Sequence, residues 1–338
     1  NEAMTDIKEI LFELSAADCA GTQDGAAVIA EKMLSRFCKT RRNGHTVIGE
    51  MPGDGKTLLL DAHIDEIALA VTDIDENGFL TVAPCGGFDL RTLPARPVTV
   101  HGKTDIPAVF CSNPPHLGGL DKEFDDISKL KIDTLLGAAA KEQISLGDTV
   151  TFRMTPAELS GGRVTGKAFD DRACVACLIS LAEKLAGKTL PMNIMFLFSD
   201  QEELGMRGAR TAAYGISADE AIALDVSFGD GPSISQYECG SLGGGPMIGV
   251  SPVLDSRISG RLLQIAAENG IKNQTEVMGG RTGTDADVIS VTKSGIPTGL
   301  VSIPIRNMHT PVEVADIADI AASRDLLEQY ILKGGALS

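Results

Sequence analysis

Five short polar clusters in this chain combine residue types that bind metals and move protons. Asp61-Ala62-His63-Ile64-Asp65-Glu66 directly follows the apolar run Leu58-Leu59-Leu60. Phe169-Asp170-Asp171-Arg172 opens a helical pattern, and Asp200-Gln201-Glu202-Glu203 follows the apolar run Asn193–Phe198. Asp225 lies at the end of Ala221–Val226, and Asn307-Met308-His309 comes after Thr298–Ile303. Each cluster alone has an ordinary explanation. Asp170 or Asp171 would suit a helix N-terminus through the dipole. Glu202-Glu203 would suit an exposed turn, His63 a satisfied core histidine, and His309 before Thr310-Pro311 a plain loop. Their coincidence at predicted strand ends and helix starts is what points to a site. Two histidines with several carboxylates suit two borderline divalent cations, such as zinc or cobalt, that share one carboxylate. A magnesium or calcium site made only of oxygens has no need of the histidines.

These clusters need elements to hold them. Ile7, Ile10, Leu11 and Leu14 share one helical face, and Ala26, Ile29, Ala30, Met33, Leu34 and Phe37 share another. Strands are predicted near His45–Glu50 and Thr57–Ala62. The second is continuously apolar, as in a strand buried on both faces. From Ile67 to Leu159 short β-prone runs alternate with turn residues: Ile67–Ile74, Phe79–Ala83, Pro97–His101, Ile106–Cys111 and Thr149–Met154. Asn77-Gly78 between the first two is a hairpin signal. After Gly161-Gly162 helices are predicted over Arg172–Leu185, Leu204–Ala213, Ser256–Asn269 (capped by Asp255, stopped by Gly270) and Ala315–Leu332. They alternate with strands Asn193–Phe198, Ala221–Val226 and Thr298–Ile303. This rhythm implies an α/β fold with a largely parallel sheet covered on both faces, in which ligand sites collect at the carboxyl ends of strands. The expected organisation is one α/β domain, residues 1–66 and 160–338, interrupted by a small all-β domain at 67–159 that carries no metal ligand.

Composition narrows the function further. Lys plus Arg number 30 against 46 Asp plus Glu, a net charge of −16 over 338 residues. Nucleic acid and anionic membranes repel so acidic a chain. No run approaches the roughly 20 apolar residues of a membrane span, and Asn1–Glu13 lacks the apolar centre of a signal peptide. Seven scattered cysteines suit reduced thiols. A cytoplasmic protein is therefore expected, with Met4 read as the natural start and Asn1–Ala3 as added residues. Aromatics are 4% with no Trp, which leaves little stacking surface for bases or sugars. Cys174-Val175-Ala176-Cys177 lies on an apolar helix face and reads as core. Gly240-Ser241-Leu242-Gly243-Gly244-Gly245 lacks the Lys-Ser/Thr ending of a phosphate loop, and His116 in Asn113-Pro114-Pro115-His116 reads as surface.

The order of Ala62-His63-Ile64-Asp65-Glu66, Asp170-Asp171-Arg172, Glu202-Glu203, Leu224-Asp225-Val226 and Met308-His309 resembles one family along essentially the whole chain, β insertion included. These are the TET peptidases, cytosolic dinuclear metalloaminopeptidases that build hollow tetrahedral particles, with glutamyl and deblocking aminopeptidases among their relatives. The resemblance implies a phosphorylase/hydrolase-like peptidase fold with a mainly parallel mixed sheet. It implies one cation held by His63, Asp170 and Asp225, and a second by Asp170, Glu203 and His309. Asp65 would orient the His63 ring, and Glu202 would be the general base. The implied reaction removes the N-terminal residue of a peptide. Glu202 takes a proton from a water bridging the cations and returns it to the leaving amine. The insertion would help assemble a twelve-subunit shell. Ala68 and Ala173-Cys174 depart from the family's glycines near two motifs, which bears on substrate fit more than on the cations. Gly283-Thr284-Asp285-Ala286 also matches a family segment near the site, with no role assigned.

Two other enzyme readings keep the acids busy. A glycoside hydrolase of endoglucanase type would use Glu202 or Glu203 with another carboxylate, but it leaves His63 and His309 unexplained. A related metal-dependent amidohydrolase or deacylase would use the same metal chemistry on small N-acyl compounds. A non-catalytic assembly protein on a peptidase scaffold has no use for so complete a set of site residues. Arg281 and Arg306, near the late motifs, suit either acidic N-terminal side chains or plain structural roles.

Overall fold

Leu58 and Leu60 point to one face of the strand Thr57–His63 and Leu59 to the other, and all three are fully buried. That double burial fits a strand at the centre of a sheet with cover on both sides. The fold is that of a computed structural model, which describes residues 5–112, 114, 116, 126–232 and 234–336. Met4, Asn1–Ala3, Asn113 and Pro115 lie outside the described residues.

Thr57–His63 pairs in parallel with Asn193–Ser199 on one side and Glu220–Phe228 on the other. Glu220–Phe228 pairs in parallel with Thr298–Arg306. Four parallel strands bring four carboxyl ends to one edge, and the register aligns the motifs. Ser199 lies beside His63, Ala223 beside Asp61, and Asp225 beside Ser302. Outside this centre the sheet turns antiparallel. Thr46–Met51 and Lys39–Asn43 extend one edge. Glu313–Asp316, Arg163–Gly166 and Ala157–Glu158 extend the other. The result is a mixed sheet with a parallel core. The helices Ile7–Ala16, Gly25–Leu34, Phe169–Leu185, Ser256–Asn269 and Ile317–Leu332 pack into one core, and the helices Arg207–Gly215 and Ala286–Ile289 into another.

Six strands between Ala68 and Phe152 close into a barrel, whose core has Leu80, Val98, Val100, Ile132 and Val150 fully buried. The Asn77-Gly78 signal is met by the antiparallel pair Ala68–Ile74 and Leu80–Cys85. His116 is exposed. Cys174 and Cys177 are fully buried on the helix Phe169–Leu185.

Two differences from the sequence pattern have a plain physical reason. The helix expected from Ala315 begins at Ile317, because Glu313–Asp316 forms a strand and the Asp316 carboxylate caps the helix by accepting from Ala318 N. Lys39–Asn43 is an edge strand with no apolar residue, so no hydrophobic alternation marks it.

Candidate active site

The five clusters meet above the carboxyl edge of the parallel strands. His63 ends its strand, and the loop after it carries Asp65 back across the sheet. The Asp65 carboxylate accepts from the backbone N–H of Glu202 at 3.0 Å and of Glu203 at 3.2 Å. That ties the Glu-Glu turn to the histidine strand. His63 Nδ1 is 3.3 Å from Asp65 Oδ1, although without hydrogen-bond alignment. The backbone leaves helical geometry at Asp170 and Asp171. Ala168, Gln201, Asn307 and His309, each within a motif or beside one, have positive φ. Apart from asparagine, a left-handed residue of these types costs about 1–2 kcal/mol, and such conformations gather at functional sites.

Asp170 is the pivot. Its Oδ1 lies 3.0 Å from His63 Nε2 and its Oδ2 lies 3.2 Å from His309 Nε2. His309 Nε2 is also 3.4 Å from Glu203 Oε1. The ligand atoms of His63, Asp170 and Asp225 fall within 4.8 Å of one another, and so do those of Asp170, Glu203 and His309. These are two triads sharing one carboxylate. Asp170, Glu202, Glu203, Asp225 and His309 line a cavity of about 610 Å³, a size suited to a small ligand.

The electrostatics fit cations. Burial pushes the Glu202 carboxyl up to about 8 and the Glu203 carboxyl up to about 7, with neighbouring acids adding to it. Burial, then Asp171, lifts Asp225 well above the usual range. Asp170 goes the other way. Burial opposes its charge, but His309 and His63 outweigh that and hold it low. Asp170 in turn lifts His309 to about 9. Among the described residues that line the cavity there is no Lys or Arg to balance these acids. Mixed imidazole and carboxylate donors suit borderline divalent ions. A third group, Cys19, His45 and Asp200, is similarly close, but burial pushes its thiol up to about 12, so it is a poor thiolate donor.

Several supporting contacts are made only by the fold. Glu313 is buried, and one of its oxygens accepts from Phe169 N at 2.6 Å and Asp170 N at 3.1 Å while the other accepts from His309 N at 2.9 Å. It therefore clamps the segments of two expected ligands. Glu66 accepts from Lys167 Nζ at 2.6 Å and Arg172 Nη2 at 2.9 Å. Burial opposes the Glu66 charge, but these two cations hold its carboxyl down at about 2. Arg172, fully buried, also donates to Leu14 O and Ala17 O. Gly86 and Gly87, just past a barrel strand, close against the second triad. A Cβ on Gly86 would lie 2.7 Å from Ile67 Cγ2, and one on Gly87 would lie 2.9 Å from His309 Nδ1. Arg306 pairs with Asp230 at 2.8 Å and Arg281 is exposed, and neither lines the cavity.

A glycosidase needs only a pair of carboxylates, and the two histidines facing Asp170 would have no task in it. The sequence model of the M42 glutamyl aminopeptidase family matches residues 45–326. The lysyl aminopeptidase of Pyrococcus furiosus is 33% identical over 283 residues, covering 81% of either chain. Aminopeptidase APDkam598 from the archaeon Desulfurococcus kamchatkensis has a TM-score of 0.90 at 30% identity, covering 97% of this chain and 94% of that one. The Pyrococcus horikoshii TET1 peptidase, which can assemble into a tetrahedron or a large octahedral shell, has a TM-score of 0.85 at 28% identity, covering 97% and 99%. With a match over most of its length and this set of histidines and carboxylates, the chain belongs to the M42 glutamyl aminopeptidase family and is a metal-dependent aminopeptidase.

Proposed function

We propose that the cavity removes N-terminal residues from peptides with two divalent cations, zinc or cobalt, per chain. His63, Asp170 and Asp225 would hold one, and Asp170, Glu203 and His309 the other. The observation that carries this reading is Asp170, which faces a histidine with each of its two oxygens. When bound, the cations supply Lewis-acid polarisation of water and carbonyl and charge for a developing oxyanion. Glu202 is left outside both triads yet lines the same cavity, and its raised carboxyl matches a general base working near neutral pH. It takes a proton from the attacking water and gives it to the leaving amine. Asp65 holds the turn that carries Glu202 and Glu203. The acidic lining suits a positively charged free α-amine, and hence an exopeptidase.

The reading extends to a cytoplasmic homo-oligomer, a dodecamer, with residues 67–159 as the assembly domain. All seven thiols are free, and no described helix is long and apolar enough to cross a membrane. The shells of the TET1 peptidase support the assembly. Light scattering at micromolar concentration checks it, since a monomer mass excludes it. For the activity, metal-loaded protein is assayed on a panel of aminoacyl p-nitroanilides. Release of p-nitroaniline that chelator abolishes is expected. No release from any member, with two metals per chain verified, defeats the reading.

A further inference from the structure

One carboxylate in the cavity belongs to neither triad nor to the proton path. Glu276 sits on the strand Gln274–Val277, which pairs with Met247–Val250, itself paired with Thr298–Arg306. Its Oε1 accepts from Ser227 Oγ, and its Oε2 accepts from Ser302 Oγ at 2.7 Å. Both serines are buried, at 7% and 1% exposure, and all three residues line the cavity. Ser302 lies beside Asp225 in register, and Ser227 is two residues beyond Asp225 on the same strand face. The Glu276 carboxylate is therefore held between the level of Asp225 and the level of Ser227, two residues further along that strand. Hydroxyl donors to both oxygens fix the direction of the carboxylate. The same cavity also has apolar walls of Val226, Phe228, Met278 and Leu300.

We infer that Glu276 reads the side chain of the substrate's N-terminal residue and selects lysine or arginine, resting on the aminopeptidase reading above. A Lys or Arg side chain has an aliphatic stem for those walls and a cationic head for the carboxylate. No described lining residue is Lys or Arg, and His309 is already engaged by Asp170, so an acidic side chain meets no free cation. Arg306, which would have been the candidate, is engaged by Asp230. Glutamyl substrates meet like charge and are disfavoured.

The test compares p-nitroanilides of Lys, norleucine, Leu and Glu on metal-loaded protein. Norleucine carries the lysine stem without its ammonium. A charged hydrogen bond predicts kcat/KM for Lys about tenfold or more above norleucine, with Glu slowest. In Glu276→Gln the Lys-to-norleucine ratio falls by about the same tenfold factor. Free lysine should inhibit the unaltered protein more strongly than free norleucine, a measurement that needs no variant. Equal or higher kcat/KM for norleucine or Glu overturns the inference while leaving the aminopeptidase intact. So does a Glu276→Gln change that lowers every substrate alike, since that places the carboxylate on the shared α-amine. Failure of all four anilides with metal bound defeats the aminopeptidase reading and this one with it.

Discussion

His63 and His101 are both buried, at 2% and 5% exposure, and both are flanked by acids. His101 belongs to the barrel, and its main partners are near at hand. Nδ1 meets Asp105 at 2.7 Å, four residues on, and Nε2 meets Thr151 Oγ1 at 2.9 Å on the adjoining strand. Asp18 stands further off at 3.6 Å. His63 belongs to the parallel sheet, and its partners come from far along the chain: Asp170 at 3.0 Å, and through Asp170 a second histidine, His309. Around His101 the acids have other partners, Lys167 for Asp18 and solvent for Asp105, and the ring serves packing. Around His63 acids outnumber cations within one cavity, a configuration that folding alone would not maintain. The difference lies in what converges on the ring, since residue type and burial are alike.

Removing metal should separate the two regions most strongly. Chelation is expected to abolish peptidase activity, and zinc or cobalt to restore it. A site saturated a thousandfold over its Kd stabilises the fold by about 4 kcal/mol, so the melting temperature should fall too. The fall has a pH dependence. Glu202 and Glu203, ionised near pH 4–5 when unfolded, must be ionised at about 8 and about 7 when folded without cations. The folded form binds more protons in that window, so stability declines as pH rises. His309, raised to about 9, contributes stability that is complete below about 6.5 and lost as pH rises toward 9. Both signs agree. Calorimetry should show metal-free protein less stable at pH 8.5 than at pH 6. The opposite trend, or full activity after verified metal loss, would contradict the site.

Within the site, adjacent glutamates should behave differently. Glu202→Gln keeps both triads and removes the proton carrier, so metal content should stay near two per chain while kcat drops by roughly 10²–10⁴-fold. Glu203→Gln exchanges a charged ligand for a weak neutral one, so one metal should be lost first and excess metal should recover part of the rate. Elemental analysis beside steady-state rates checks both, and the reverse pattern would swap the two roles. Glu313→Gln is the next step down. Gln presents only one carbonyl oxygen to three backbone N–H groups, and its amide would face a donor. Metal affinity should fall by about 10–100-fold, as for other residues that support ligands, with stability lower by about 1–3 kcal/mol. Unchanged affinity in a folded Glu313→Gln would reduce the clamp to packing.

These residues also mark how far the sequence carries. His63, Glu202, Glu203, Asp225 and His309 stood out because apolar runs marked the strands and the polar residues after each run had nothing local to do, and Asp170 because its cluster opens a helical pattern. The barrel was legible because Asn77-Gly78 and the short β-prone runs are local signals. Glu313 and Glu276 gave no such sign, and Glu66, though inside the first cluster, gave no hint of its partners Lys167 and Arg172. Glu313 works by accepting backbone N–H groups from segments 143 and 144 residues away and from His309. Glu276 depends on serines 26 and 49 residues away. Those distances close only in the folded sheet, and a single acid carries no period of its own. Lys39–Asn43 escaped for a similar reason, since an edge strand of polar residues is defined by its neighbour's hydrogen bonds.

The smallest expected effect on catalysis is the sharpest check of the two histidines. His101→Gln removes a buried ring whose partners are a threonine, a distant Asp18 and the exposed Asp105. Asp105 can return to water, so its loss of a partner matters little. Thr151 is buried, and an unmet hydroxyl there costs about 1–3 kcal/mol. The variant should therefore melt lower yet bind metal at the same stoichiometry and, per folded molecule, keep kcat/KM within about twofold, or ~0.4 kcal/mol of transition-state stabilisation. His63→Gln, made alongside, should lose metal and activity together. If His101→Gln instead loses activity tenfold with both metals in place, the barrel acts on catalysis. The route would then run through Gly86 and Gly87, beside a barrel strand, where an added Cβ would meet Glu203 and His309.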